Sequence, residues 1–182
     1  MRVNFRKTEK PSVFRIAVIM TGGTIAKTYD PQAARLCNSE VTIDAFIRSQ
    51  RLPGTQINYI DLMRKDSLEI TPHDRNLIVE SVLAASHDYD AIIITHGTDT
   101  LANTGEELYR CLPYPLIPVV LTGAMIPLVV QKTDGIQNLT EAVLACKLLP
   151  AGVYTVFHGE VLPFPGVIKD REQMTFVRGE VA

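Results

Sequence analysis

The chain has 182 residues, 46% of them hydrophobic and 21% charged, with a formal net charge of −2. Those values exclude a fibrous or disordered chain and fit one domain able to bury a sizeable core. A balance so near neutrality gives no electrostatic footprint for nucleic acid or an anionic membrane surface, so a small molecule is the expected partner.

In chain order, the polar residues 1–11 predict a flexible lead-in to a single domain over residues 12–182. The apolar run 14–20 (FRIAVIM) predicts a buried first strand; it leads straight into TGGT without a small-residue cleavage site, unlike a signal peptide. Residues 41–50 have helical spacing. A strand is expected at 56–60. A helix follows over 71–85, with Thr71 as its N-cap and Pro72 at its first position. A second apolar strand, AIIIT at 91–95, precedes a helix at 99–111. Strands at 117–121 and 153–157 flank a helix at 134–149. Residues 163–182 read as irregular, with one strand at 174–177. No apolar stretch approaches the ~20 residues that a membrane helix needs. Cys37, Cys111 and Cys146 are odd in number and widely spaced, which suits reduced thiols and a cytoplasmic setting. Strand and helix alternate, and the strands are near-continuously apolar. This predicts an α/β, doubly wound, mainly parallel sheet with helices on both faces in a single domain.

In such a sheet, ligands bind beyond the carboxyl ends of the strands. Two strands end there in polar text. The first runs into Thr21-Gly22-Gly23-Thr24, the strand at 91–95 into His96-Gly97-Thr98-Asp99-Thr100. Glycine allows close backbone approach, and threonine sets a hydroxyl at the rim. Alone, each segment reads equally as a tight turn with a helix cap. The dinucleotide fingerprint, the G-x-S-x-G elbow and H-E-x-x-H spacing are all missing from the sequence. His96 is expected to order its loop and His158 to be structural. A threonine hydroxyl needs an activating base, and Lys169 follows the last apolar strand closely enough to return to the rim.

These residues carry a resemblance. IAVIMTGGTIA and IIITHGTDT resemble the two threonine motifs of bacterial-type L-asparaginases, and LTGAMIPL followed by TDGIQNLTEAV is similar to a third block of that family. The likeness runs from about residue 15 to residue 169 and stops at the family's N-terminal domain. It therefore implies a short form lacking the second domain, completed as a homo-oligomer. It implies an amidohydrolase converting L-asparagine to L-aspartate and ammonia, with no metal or organic cofactor. Thr24 matches the nucleophile, and Thr98, Asp99 and Lys169 match the proton-relaying group. Ser67 matches the serine that holds the substrate's α-carboxylate. Gly23 and Gly97 bring backbone to the substrate. Leu68 stands where a polar residue is common, leaving Glu69 as a contact for the amino group. Ile126 stands where arginine is usual. Tyr29 is the only tyrosine in the loop after TGGTI and is assigned the role of the family's loop tyrosine. Two alternatives remain open. One is a non-catalytic amino-acid-binding or regulatory module. The other is an ammonia-supplying amidase resembling the asparaginase-like subunit of the archaeal transfer-RNA amidotransferase.

Overall fold

The computed structural model describes residues 13–38 and 41–179, so the expected flexible segment 1–11 lies outside the described residues. In chain order the elements are β1 (Phe14–Gly22), β2 (Lys27–Asp30), β3 (Arg35–Asn38), α1 (Val41–Ser49), β4 (Thr55–Lys65), α2 (Pro72–Ala85), β5 (Ala91–Thr95), α3 (Leu101–Cys111), β6 (Pro118–Thr122), α4 (Gly135–Leu148), β7 (Gly152–Phe157), β8 (Glu160–Pro163), β9 (Val167–Asp170) and β10 (Thr175–Arg178). Six strands form the central sheet in the order β4-β1-β5-β6-β7-β8, parallel except for the last pair.

Alternation along each strand sends neighbouring side chains to opposite faces. Ile16, Val18, Ile93 and Val120 pack with Ile43 and Ile47 of α1 and with Leu139, Ala142 and Val143 of α4. Ala17, Ile19, Ile92 and Ile94 pack with Ile78 and Val82 of α2 and with Leu101 and Leu108 of α3. Both faces are therefore covered, which is why β5 and β6 are buried from end to end. The expected doubly wound α/β sheet is what forms.

The chain moves outward from β1 to β4, then crosses back to β5 on the other side of β1. That reversal creates the crevice in which doubly wound folds take ligands. Residues 66–70, following β4, are held tightly there. Lys65 Nζ lies 2.8 Å from each oxygen of Asp74, which also accepts the Thr71 N–H at 2.8 Å. Thr71 Oγ in return accepts the Asp74 N–H, closing a capping box on α2. The Lys65 ammonium and the Thr71 donors hold the Asp74 carboxyl well below the usual carboxylate range.

Three expectations are corrected. The strand at 56–60 extends to Thr55–Lys65, because parallel pairing with β1 continues as far as Gly22 opposite Lys65. The loop after TGGT contains a hairpin, β2–β3, with Tyr29 opposite Leu36. The stretch read as largely irregular holds the end of β8 and a separate hairpin, β9–β10, with Lys169 opposite Phe176. Its four-residue strands are too short to show periodicity. Phe176 and Val167 of that hairpin are buried in the same cluster as α2 and α3, which fixes it to that face.

Candidate active site

Three neighbouring strand ends, those of β4, β1 and β5, carry Ser67, Thr24 and Thr98 respectively. The turns beyond them touch backbone to backbone. A Cβ on Gly23 would lie 2.4 Å from both the Cα and N of Gly97, and one on Gly97 would lie 2.6 Å from the Cβ of Ser67. Only glycine allows this approach, and at Gly23 the φ of +78° also demands it. Further bonds lock the turns. Thr21 Oγ donates to the Thr95 carbonyl at 2.9 Å, Gly23 N–H to the Lys65 carbonyl at 2.9 Å, and Thr100 Oγ to the Ser67 carbonyl at 2.7 Å. Thr24 follows Gly23 and Thr98 follows Gly97, so the contact fixes both hydroxyl-bearing residues at one rim.

Lys169 arrives from β9. Its Nζ donates to Thr98 Oγ at 2.7 Å and to Asp99 Oδ1 at 3.0 Å, across separations of 71 and 70 residues. Arg171 also reaches Asp99 Oδ1, at 3.4 Å. The Lys169 side chain is only 13% exposed. An amine held at this distance from a hydroxyl can exchange a proton with it, and the neighbouring carboxylate balances the charge.

Ser67 is buried, on a short 3₁₀ turn. Asp66 caps that turn by accepting the Leu68 N–H at 3.2 Å, and the Glu69 carboxylate closes the box by accepting the Asp66 N–H at 3.4 Å. Glu69, expected to reach a substrate amino group, is thus turned back into its own cap. Lys27 Nζ pairs with Asp66 at 2.9 Å, and this bond, with the Leu68 N–H, holds the Asp66 carboxyl below its ordinary value. Leu68 is exposed. Tyr29, 63% exposed on β2, is open to solvent on the hairpin. A cleft of about 850 Å³ opens beside the rim, between α3 and β9. Among the expected site residues it is lined by Asp99 and Lys169, whereas Thr24, Ser67 and Thr98 do not line it. The shared glycine contact, and not this cleft, defines the rim.

His96 is fully buried beneath the rim. Its Nδ1 lies 2.8 Å from the Gly97 carbonyl, which can only accept, so Nδ1 carries the proton and Nε2 accepts from Thr104 Oγ at 2.9 Å. Burial pushes its pKa down to about 4; the Arg75 charge acts the same way and the Gly97 bond opposes it. With both nitrogens engaged, its role is to shape the loop. The sign of the linkage follows. Above the unfolded value of about 6.5, histidine is neutral in both states and its contribution is fully present. Between about 6.5 and about 4 only the unfolded chain takes the proton, so stability is lost as the pH is lowered through this window, by about 3 kcal/mol in all. Denaturant midpoints compared at the two ends of this window are expected to show the loss in the wild type and a clearly smaller one in His96→Gln. Equal losses would refute the assignment.

One constellation escaped the sequence reading. The Asp134 carboxylate accepts the N–H groups of Met125 and Ile126 at 2.9 Å each and lies 3.0 Å from His158 Nε2. Burial opposes ionisation of Asp134, but the Met125 and Ile126 donors and His158 hold its carboxyl below the ordinary value. Asn138 Nδ2 bonds the Gly123 carbonyl at 2.9 Å. The i, i+4 spacing of Asp134 and Asn138 was the available signal.

A doubly wound domain with a threonine–lysine–aspartate group at its topological switch point defines a class of site built on backbone contact between rim turns. Residues 15–173 match the family description "Asparaginase, N-terminal". The chain belongs to the asparaginase family. It is similar to an L-asparaginase of Thermococcus kodakarensis, 38% identical over 150 residues that make up 81% of this chain and 45% of that protein. The solved structure of the thermostable L-asparaginase from the same organism superposes with a TM-score of 0.78 at 33% identity, covering 86% of this chain and 48% of that one. L-asparaginase 1 of Escherichia coli is 34% identical over 154 residues, 82% of this chain and 44% of the relative. A glutamyl-tRNA(Gln) amidotransferase component of Aeropyrum pernix is 29% identical over 162 residues, 83% of this chain and 36% of that protein. The chain thus spans less than half the length of the curated relatives it matches. Among the described residues, no helix is long and apolar enough to cross a membrane.

Proposed function

We propose that this domain is an amidohydrolase that converts L-asparagine to L-aspartate and ammonia. The observation that carries the reading is the placement of the Lys169 amine against Thr98 Oγ and Asp99, beside Thr24 on the same rim. In this reading Thr24 Oγ attacks the side-chain amide carbon. Backbone N–H groups around Gly23 and Thr98 stabilise the oxyanion, a contribution of about 3–4 kcal/mol per donor in comparable sites. The hydroxyl proton reaches the leaving nitrogen, ammonia departs, and an acyl ester on Thr24 remains. Thr98, with Lys169 and Asp99, then takes a proton from the water that attacks this ester, releasing aspartate and restoring the Thr24 hydroxyl. Ser67 anchors the α-carboxylate, and Asp99 meets the α-amino group. The reading places the protein in the cytoplasm, in keeping with its three free cysteines, and assembled with further copies of itself.

Ammonia release from purified protein tests it. Turnover of L-asparagine above that of L-glutamine is the expected result. Binding of either amide without ammonia would favour the non-catalytic module. Preferential release from L-glutamine would favour an ammonia-supplying amidase, the reading that the amidotransferase relative suggests.

A further inference from the structure

The connection from β7 to β8 is two residues long, His158 and Gly159, both with positive φ (51° and 84°). A turn of this kind favours Asn-Gly, and a non-glycine residue with positive φ is uncommon. Histidine tolerates that conformation but is not the residue such a turn prefers. The bonds of its ring supply the reason. Nε2 lies 3.0 Å from Asp134 Oδ2, and Nδ1 lies 3.1 Å from Thr175 Oγ. The backbone N–H adds a bond to Asn138 Oδ1 at 3.0 Å.

Each ring partner leads to a different wall of the rim. Asp134 grips the loop after β6 through Met125 and Ile126, and Asn138 holds Gly123 of the same loop. Gly123 presses on the strand end that bears Thr98: a Cβ there would lie 2.3 Å from the His96 carbonyl and 3.6 Å from Thr98 Cγ2. On the other side, Thr175 pairs with Asp170, and its neighbour Phe176 with Lys169. A carboxylate can only accept, so Nε2 carries a proton toward Asp134, and Nδ1 pairs with the Thr175 hydroxyl, which can donate or accept. One imidazole therefore spans the loop beside Thr98 and the hairpin that delivers Lys169. Among the described residues the β9–β10 hairpin forms no strand pairs with the central sheet, so side-chain contacts hold it there.

We propose that His158 is a positioning residue that fixes the Lys169 amine against Thr98 by clamping the β9–β10 hairpin to the loop after β6. The proposal rests on the reading of Thr98 and Lys169 as the proton relay. His158→Asn tests it well, because asparagine is favoured in such a turn while its short amide cannot span both partners. The expected result is an unchanged or raised melting temperature, faster hydrogen exchange of the β9–β10 amides, and kcat lowered about five- to tenfold with KM little altered, the cost of a slightly displaced base. Thr175→Val should reproduce these effects, Thr175→Ser should spare them, and the His158→Asn/Thr175→Val double should be no worse than either single. Unchanged hairpin exchange in His158→Asn, or additive losses in the double, would overturn the clamp. A wild-type protein that releases no ammonia would defeat the relay reading instead, while the exchange measurement would still decide the clamp.

Discussion

Lys169→Met is expected to lower kcat for amide hydrolysis about 10²- to 10⁴-fold, the range for loss of a positioned proton-transfer group. Methionine keeps the length and the apolar stem of the side chain. It removes only the charge that meets Thr98 Oγ at 2.7 Å and Asp99 at 3.0 Å. Asp99 keeps Arg171 as a neighbour, so the carboxylate is not stranded and the melting temperature should change little. Thr98→Val should cost about as much, and the Thr98→Val/Lys169→Met double no more than either single, because groups that act as one unit are lost once. Steady-state ammonia release with a thermal melt on each variant decides the matter. A Lys169→Met protein retaining a tenth or more of wild-type kcat, an arbitrary but generous margin of about 1.4 kcal/mol, would remove the lysine from the mechanism.

The second large effect concerns backbone. Gly23→Ala must place a Cβ 2.4 Å from the Cα and N of Gly97, atoms that no rotamer change can move. Overpacking of about 1–3 kcal/mol adds to about 1–3 kcal/mol for a non-glycine residue at φ +78° and ψ −177°. The melting temperature should fall by roughly 5–15 °C, taking about 2–4 °C per kcal/mol for a chain of this size. Activity should be lost well beyond what stability explains, since Thr24 is the next residue. Gly54→Ala is the control. Its φ of +70° is similar, yet no atom lies within 4 Å of the added carbon, so only the strain term applies. Calorimetric melts of the two variants separate close approach from backbone strain; equal shifts would mean that the glycine contact between the turns contributes nothing.

The sheet was legible because burial on both faces forces long apolar runs, and AIIIT and PVVLT admit little else. The start of α2 was legible because Thr71 and Pro72 satisfy its first turn locally. Thr24 and Thr98 stood out because they break the apolar text where strands end. Lys169 did not. Nothing local distinguishes it from a surface lysine: its place after the last apolar strand made it a candidate, and the family resemblance raised it above that; its environment comes from residues about 70 positions away. Gly23 and Gly97 were legible as flexible, but that each excludes a side chain from the other is a fact of three dimensions. The position of Glu69 was not legible for a related reason. The sequence offers a free carboxylate, whereas Asp66 N–H captures it within the turn. His158 was read as structural, and its positive φ and two-sided bonding could not be seen before the turn was.

Lys169 rides on a hairpin that follows every strand of the central sheet. Synthesis runs in the same direction. A nascent chain that has just released β8 already owns the framework, the glycine contact and both rim threonines, yet has no amine beside them. Of these parts the amine emerges last, so the proposed relay is completed only after its frame is built.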